Sequence, residues 1–502
     1  MIPASQAEVT RFLAELTGAR PIETHISAVF AGKDVAWKLK KAVHLPYLDF
    51  STVAARHTML LRELALNRRT APEIYRSVQA VLRQPDGTLG LSGSSPVAEG
   101  WPVLDWVLEM ARIPQADFFD TMAAGHRLHD ALLDELADCV SAFHETLPPS
   151  VSSQWAAAIG AIIEGNVAAA TATNLPTAGI EAWHRAAVAA LRGHQAWFER
   201  RAAQGLVRRA HGDLHLGNIC LWLGHPMLID ALEFDESLAT IDLGFDLAFL
   251  LMDLDRQAGR HAANRVFNRY VARTGDADLV CGLPLYIALR AMVRAHVRAL
   301  AGDVAAMPDA RGLLDAGRGA LAKPARLVIA IGGLPGTGKS TLARLVAPLL
   351  QSAAGALILR SDEIRKRLWH VAPEVRLPPD AYTAEANTAL DEALISMLRA
   401  ALPDYPVIID ATCQDAGFRH AIMAAAQRSG VTFAGFWLEA PQHLLEQRIV
   451  ARRGDASDAT VAILHYAAQS ATVPDTPWIK IDGGAADGGL AELTRRLPAG
   501  PA

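Results

Sequence analysis

The hydrophobic and polar positions of this chain change rhythm partway along. Near residues 26–40 apolar and polar positions alternate around Ala31-Gly32-Lys33-Asp34, the period of a strand pair. Val35-Ala36-Trp37-Lys38-Leu39-Lys40 reads as one strand, with Lys38 and Lys40 on the same face. The spacing predicts a helix over about 51–71 and a strand at Trp106-Val107-Leu108-Glu109-Met110, after a Gly/Ser/Pro loop. Helical periodicity dominates from about 117 to 202. Residues 211–230 read as loop, short strand, turn and strand, and 241–302 as helices again. A strand-rich lobe followed by a helical lobe is an α+β arrangement.

The stretch 301–326 mixes Gly, Pro and Asp in a weakly periodic context. It predicts a domain over 1–310, a linker over 311–325 with the break near Lys323-Pro324, and a second domain over 326–502. Beyond it strands are expected at 327–331, 356–359, 406–410, 432–438 and 478–481. They alternate with helices starting near Lys339, Asp362, Ala384, Gly417, Pro441, Asp458 and Gly488. Such alternation predicts an α/β domain with a parallel sheet covered on both faces.

The length, 502 residues, fits two or three cores better than one. Hydrophobic residues make up 51% and charged residues 20%, which is globular and not disordered composition. The net charge of −5 is too mild to argue for a constitutive nucleic-acid or anionic-membrane partner. Four cysteines, Cys139, Cys220, Cys281 and Cys413, are scattered without a C-x-x-C pair, so neither a zinc framework nor disulfides are indicated. Glu8, Arg11 and Glu15 stand where a signal peptide would need an apolar run, and no segment has the length of a membrane span. The expectation is a cytoplasmic protein with no membrane association; oligomeric state is left open.

Two short motifs carry chemistry. The first, Gly333-x-x-x-x-Gly338-Lys339-Ser340-Thr341, follows an apolar strand and opens an amphipathic helix, the context of a phosphate-binding loop. Gly333, Gly336 and Gly338 let the backbone N–H groups turn inward, and the helix N-terminus adds its positive end. Lys339 is placed to reach the β- and γ-phosphates of ATP, and the Ser340 hydroxyl to ligate Mg²⁺. Val407-Ile408-Ile409-Asp410 ends an apolar strand in a carboxylate, the position of an acid that orders the metal and its waters, unless Asp410 caps the next helix. Asp362 and Arg365 follow the second strand of this half. Here the chain resembles P-loop kinases of small hydroxyl substrates, among them polynucleotide kinase, zeta-toxin, gluconate kinase and chloramphenicol phosphotransferase. That resemblance implies Asp362 as general base and Arg365 as a substrate-binding group; the plain alternative for Asp362 is a helix cap. It also implies a lid in which Arg448, Arg452 and Arg453 face the transferring phosphoryl group, unless they are a solvated helix end.

The second motif is His211-Gly212-Asp213-x-x-x-x-Asn218, followed after a hairpin by Asp230. It resembles the catalytic loop of aminoglycoside phosphotransferases and choline kinases. The resemblance implies a protein-kinase-like bilobal fold, Asp213 acting on the acceptor hydroxyl, and Asn218 and Asp230 binding Mg²⁺. It further implies that Asp246 braces the catalytic loop and that Lys38, more than Lys40, holds the phosphates with Glu63 as its ion-pair partner. Glu109-Met110-Ala111 would be the adenine-binding hinge. No Gly-rich loop is present; His25-Ile26-Ser27-Ala28 stands in its place. Glu233 and Asp235 read either as ligands or as a solvated acidic loop. His211 and His215 lack a third ligand at zinc spacing.

The order of parts resembles a bacterial family described as bifunctional aminoglycoside phosphotransferase-like and P-loop ATP-binding proteins, on Tyr47 to Thr52, Arg62 to Arg69, His211 to Leu254, the P-loop and Arg452 to Asp458. The resemblance implies an ATP- and Mg²⁺-dependent phosphotransferase with two nucleotide sites and small-molecule hydroxyl acceptors. Two rivals stay open: an ATP-sensing regulator with one catalytic domain, and a polynucleotide 5′-hydroxyl kinase, which the mild acidity disfavours.

Overall fold

The computed structural model describes residues 1–45, 48–93, 101–150, 154–300, 306–324, 326–470, 474 and 477–497. Tyr47, most of the Gly/Ser/Pro loop before Trp106, and residues 301–305 and 325 of the expected boundary lie outside them. By internal packing the chain divides into two compact units. One comprises 1–128, 143–151 and 205–246; the other comprises 129–142, 152–204 and 247–502.

The first unit is built on a six-stranded sheet. Its order is Ile22–Glu23, Ser27–Ala31, Val35–Lys40, Val103–Ala111, Tyr75–Arg83, Leu89–Leu91, and every pairing is antiparallel. Period-2 alternation sorts Val35–Lys40 onto two faces. Trp37 and Leu39 join Val9, Leu13, Phe30 and Val107 on one side, beneath the helix Ala7–Thr17. Ala36 packs on the other side with Leu60, Leu64, Ile74 and Leu108. Each large apolar side chain so buried contributes about 1.5–3 kcal/mol. Leu60 and Leu64 belong to the helix Val53–Asn67, whose start is fixed by Thr52 Oγ1 accepting from the Ala55 amide at 3.2 Å. The face that carries Ala36 therefore also carries Lys38 and Lys40 toward this helix and its buried Glu63.

The strand Val103–Ala111 is interior, with its final residues paired to Val35–Lys40 on one side and to Tyr75–Arg83 on the other. The expected hinge Glu109-Met110-Ala111 is thus sheet, and Ala111 N donates to Ile74 O at 2.8 Å. Unlike those three residues, Asn218 and Asp230 flank a hairpin as expected, Ile219–Trp222 against His225–Leu228.

The second unit holds a five-stranded, all-parallel sheet in the order Leu357–Arg360, Val407–Asp410, Leu327–Gly333, Thr432–Glu439, Trp478–Asp482. All five strands were legible from the sequence. The motif glycines leave the central strand, and the helix Lys339–Val346 packs Leu342, Ala343 and Val346 back on Ile329, Ile331 and Phe436. An edge strand such as Leu357–Arg360 would offer unpaired backbone groups. Here the helix Arg260–Thr274 covers them. Asn268 Oδ1 accepts from Ile358 N at 2.6 Å, and Asn264 Nδ2 donates to the carbonyls of Ala354 and Ala356 at 2.7 and 3.0 Å.

Within the stretch expected as boundary, Ala306–Ala320 is a helix. Its buried face is Ala306, Ala310, Leu313, Leu314, Gly317 and Ala320, a helical period written largely in small residues, which a reading by large apolar side chains passes over.

Candidate functional site

In the first unit five of the expected residues come together. Lys38 Nζ lies 2.6 Å from Glu63 Oε1 and 2.6 Å from Asp230 Oδ1. Lys40 Nζ lies 2.6 Å from the other oxygen of Glu63 and pairs with Glu233. The result is a chain of alternating charge, Asp230–Lys38–Glu63–Lys40–Glu233. Glu63 is 0% exposed, so burial alone would raise its pKa, but Lys38 and Lys40 outweigh it and hold the carboxyl at about 2. Burial opposes the charge on Lys38 too, and Asp230 and Glu63 override it and raise its pKa. Glu233 is buried beside Lys40 and is not part of a solvated loop; burial dominates there and raises its pKa. Asp235 instead caps a short helix, accepting from Ser237 N at 2.8 Å.

The His211–Asn218 motif sits beside this chain of charges. Asn218 Nδ2 donates to Asp213 O at 2.9 Å and to Asp213 Oδ2 at 3.0 Å. Asn218 O accepts from Ile229 N at 3.0 Å, which holds the neighbouring Asp230 close. Asp230 has φ +59°, a costly conformation for a non-glycine residue, and its amide donates to Tyr75 Oη at 2.9 Å. Gly212 has φ +86°, and a Cβ there would meet Leu232 Cβ at 3.1 Å. Asp246 accepts from the amides of His211 and Gly212 at 3.1 and 2.9 Å, the bracing expected of it. His211 is buried and points Nε2 at Ile229 O, 2.9 Å away. The turn that stands where a Gly-rich loop would lie is closed by Thr24 N donating to Ser27 O at 2.9 Å.

In the second unit the P-loop lines a cavity of about 960 Å³. Gly333, Gly336 and Gly338 have φ of +138°, +86° and +97°, and a Cβ at Gly336 would stand 2.8 Å from Leu445 O. Gly338 is the N-cap of Lys339–Val346, so the unpaired amides of that helix's first turn begin at the cavity wall. Lys339 Nζ is folded back onto the carbonyls of Gly333 and Leu334, each at 2.9 Å. Burial lowers its pKa against the pull of Asp410 and Asp362. Ser340, Thr341, Asp362, Asp410, Arg448 and Arg452 line the same cavity.

Neither carboxylate serves as a helix cap. Asp415 caps the helix after Asp410, accepting from Phe418 N at 2.6 Å. The helix Ser361–Leu368 has Arg360 at its N-cap, with Asp362 as its second residue. Burial raises the Asp362 pKa, with Arg360 opposing and Asp410 reinforcing. Asp410 Oδ2 is buried without a hydrogen-bond partner among the described residues.

Arg448 donates to the carbonyls of Thr337 and Gly483 at 3.3 and 2.9 Å and so props the loop from behind. Arg452 leaves Nη1 buried and without a hydrogen bond among the described residues, whereas Arg453 turns out to Val450 O. Arg365, expected to bind substrate, lines the cavity and donates to Ala381 O and to Asn387 Oδ1.

Sequence reading gave Arg360 no role, yet it ties this site together. It reaches Asp455 at 2.7 Å, Glu363 at 3.5 Å and Asp410 at 3.5 Å. Its position directly before Asp362 was the available signal. Lys366 pairs with Asp458 at 2.7 Å, fixing the other end of the segment 455–458.

The chain thus combines an α+β unit on an antiparallel sheet with a unit in which an α/β P-loop domain is built on a parallel sheet. Residues 328–474 match the family model described as AAA domain. Over 456 residues the chain is 29% identical to uncharacterized proteins of Mycobacterium tuberculosis (strain H37Rv) and Mycobacterium bovis, with 88% of each chain covered. Among solved structures it is similar to the aminoglycoside phosphotransferase APH(4)-Ia, at 14% identity and TM-score 0.39, covering 62% of this chain and 97% of that one. It is also similar to a gluconokinase from Sinorhizobium meliloti, at 20% identity and TM-score 0.24, covering 34% and 93%. Among the described residues no helix is long and apolar enough to cross a membrane.

Proposed function

We propose that this chain is an ATP- and Mg²⁺-dependent phosphotransferase with two nucleotide sites, each serving a hydroxyl acceptor on a small molecule, in a cytoplasmic setting. The observation that carries the reading is the convergence of Lys339, Ser340, Asp362 and Asp410 on one cavity at a helix N-terminus. The residues fit a nucleotide and metal: buried Asp410 Oδ2 makes no hydrogen bond among the described residues and has Arg360 Nε 3.5 Å away, and Lys339 donates to loop carbonyls.

In the second unit Ser340 and Asp410 would hold Mg²⁺, whose charge would offset that of the phosphates. Gly333, Gly336 and Gly338 shape the loop, Lys339 and Arg452 neutralise the phosphoryl oxygens, and Arg448 keeps the loop in place. Asp362 takes the acceptor proton as the acceptor oxygen bonds to phosphorus and the bond to the leaving diphosphate breaks, giving phosphoester, ADP and a proton. In the first unit Lys38, oriented by Glu63, serves the phosphates. Asn218 and Asp230 serve the metal, and Asp213 the acceptor hydroxyl. Both sites work by positioning and by neutralising charge on the transferring group. The domain limits proposed with this reading are 1–310 and 326–502.

The test is incubation of the protein with ATP, Mg²⁺ and a small-molecule extract, with mass spectrometry for compounds gaining one phosphoryl group. Asp213→Asn should remove one set of products and Lys339→Ala another. Unchanged products in both folded variants would defeat the reading. One observation favours a second reading, in which the first unit binds ATP without turnover. Its turn Thr24-His25-Ile26-Ser27 has no glycine to admit phosphates to the backbone. Tight ATP binding with no product lost in Asp213→Asn would select it.

A further inference from the structure

On the phosphotransferase reading of the second unit, the acceptor side of its cavity carries a chemical selectivity of its own. Past the P-loop the wall runs along Asp362, Arg365, Asn387, Asp391 and Gln414. Arg365 is the cation of this stretch and is already used. Its guanidinium stacks 4.8 Å from the centroid of Tyr382, donates to Ala381 O, and donates to Asn387 Oδ1 at 2.8 Å.

Asn387 Oδ1 is thereby satisfied, but another acceptor on the same wall is not. Asp391, half-buried on the helix Ala384–Ala401, has no hydrogen-bond donor among the described residues. Burial, then the charge of Asp415, push its pKa up to about 6, and Arg365 only partly offsets them. Gln414 presents the complement, because its Nε2 is buried with no hydrogen-bond partner among the described residues. Leu390 and Phe418 line the cavity beside these groups and give it an apolar strip. The wall therefore offers carboxylate oxygens at two places, an amide N–H at a third, and a surface for C–H groups.

A hydroxyl both donates and accepts, so a molecule with several hydroxyls satisfies Asp391 and Gln414 together. An amino group satisfies Asp391 as a charge-assisted donor. A phosphate or carboxylate would meet Asp362 and Asp391 with the wall's cation already spent, and like charges brought together select against a ligand.

We propose that the acceptor of the second unit is an uncharged or amino-bearing polyhydroxylated small molecule, held by Asp391 and Gln414 with its reacting hydroxyl at Asp362.

The experiment uses the full chain carrying Asp213→Asn, to remove transfer by the first unit, with γ-labelled ATP and Mg²⁺. Four acceptor classes are compared: neutral polyols and sugars (myo-inositol, glucose), an amino sugar (glucosamine), anionic sugars (gluconate, glucose 6-phosphate) and a 5′-hydroxyl oligonucleotide. Neutral or amino acceptors should exceed anionic ones by about 100-fold or more in kcat/KM, within the range that unpaired polar groups impose on a wrong substrate. Asp391→Asn should raise the acceptor KM about tenfold with kcat within about threefold, as expected for lost binding that is uniform along the reaction. Gln414→Ala should show the same split. Preferred transfer to gluconate, the sugar phosphate or the oligonucleotide, or an unchanged KM in both variants, overturns the inference while leaving a kinase in place. Transfer to no class, or transfer that survives Lys339→Ala, defeats the phosphotransferase reading itself and this inference with it.

Discussion

Glu63→Gln keeps the volume of the side chain and removes one charge from the middle of the alternating chain in the first unit. The wild-type carboxylate is 0% exposed and has an ammonium 2.6 Å from each oxygen. Its pKa, lowered from 4.5 to about 2, corresponds to about 3 kcal/mol of net pairing at neutral pH. Breaking a buried ion pair from one side costs about 3–5 kcal/mol, so the two magnitudes agree. The sign is fixed by linkage. A carboxyl whose folded pKa is depressed stabilises above its unfolded value of 4.5, and that contribution fades as pH falls toward about 2. The variant should therefore lose about 3 kcal/mol at pH 7, with less than about half of that difference left at pH 3. Amide exchange followed by mass spectrometry reads this locally, on peptides from Val35–Lys40 and Val53–Asn67. Lys38 would also lose its orienting partner, so the ATP KM of this site should rise. Equal protection of both peptides in the two proteins at pH 7 would refute the claim that Glu63 carries this network.

Asp213→Asn should cut transfer at the first site by about 10²–10⁴-fold with ATP affinity retained, checked by product formation and nucleotide titration. Lys339→Ala should cost the second site about 10²–10³-fold, measured in the same assay. Asp362 has a raised folded pKa, with Arg360, Lys339, Asp410 and Asp455 as its charged neighbours. The rate at the second site should then fall as pH drops through a value above the ordinary aspartate range. Asp362→Asn should abolish that rate yet raise Tm at pH 7, a gain that disappears below the unfolded pKa of 3.8. Asn268→Ala strips the acceptor from Ile358 N. An unmade buried hydrogen bond costs about 1–3 kcal/mol, so a lower urea midpoint is expected for the second unit.

What could be read in the chain depended on whether a residue's task was local. The P-loop helix, the five parallel strands and the hairpin between Asn218 and Asp230 are written in contiguous residues, and their positions came from periodicity and turn chemistry. The Lys40–Glu233 pair links residues 193 apart in sequence, and nothing in either neighbourhood signals it. Glu233 therefore read equally well as a solvated loop residue. The same holds for Arg360, whose partners Asp410 and Asp455 lie on other elements. The partners of Arg365, Ala381 and Asn387, were likewise not legible from its local context, because they are set by the packing of later elements.

The boundary shows why rhythm and packing need not coincide. A switch from long helices to strand–helix alternation marks where one kind of secondary structure stops. What folds together is decided by which surfaces cannot be left open. The strand Leu357–Arg360 has one neighbour in its sheet, so its outer edge must be capped by side chains, blocked or exposed. Asn264 and Asn268 do the capping from a helix that precedes the change of rhythm by more than fifty residues. They are spaced by four, so both amides fall on one helix face, and each can present a donor and an acceptor as a neighbouring strand would. That pairing is among the contacts by which the helix Arg260–Thr274 joins one compact unit with the parallel sheet. A helix reading could register two asparagines on a common face. It had no means of knowing that a sheet edge would need them.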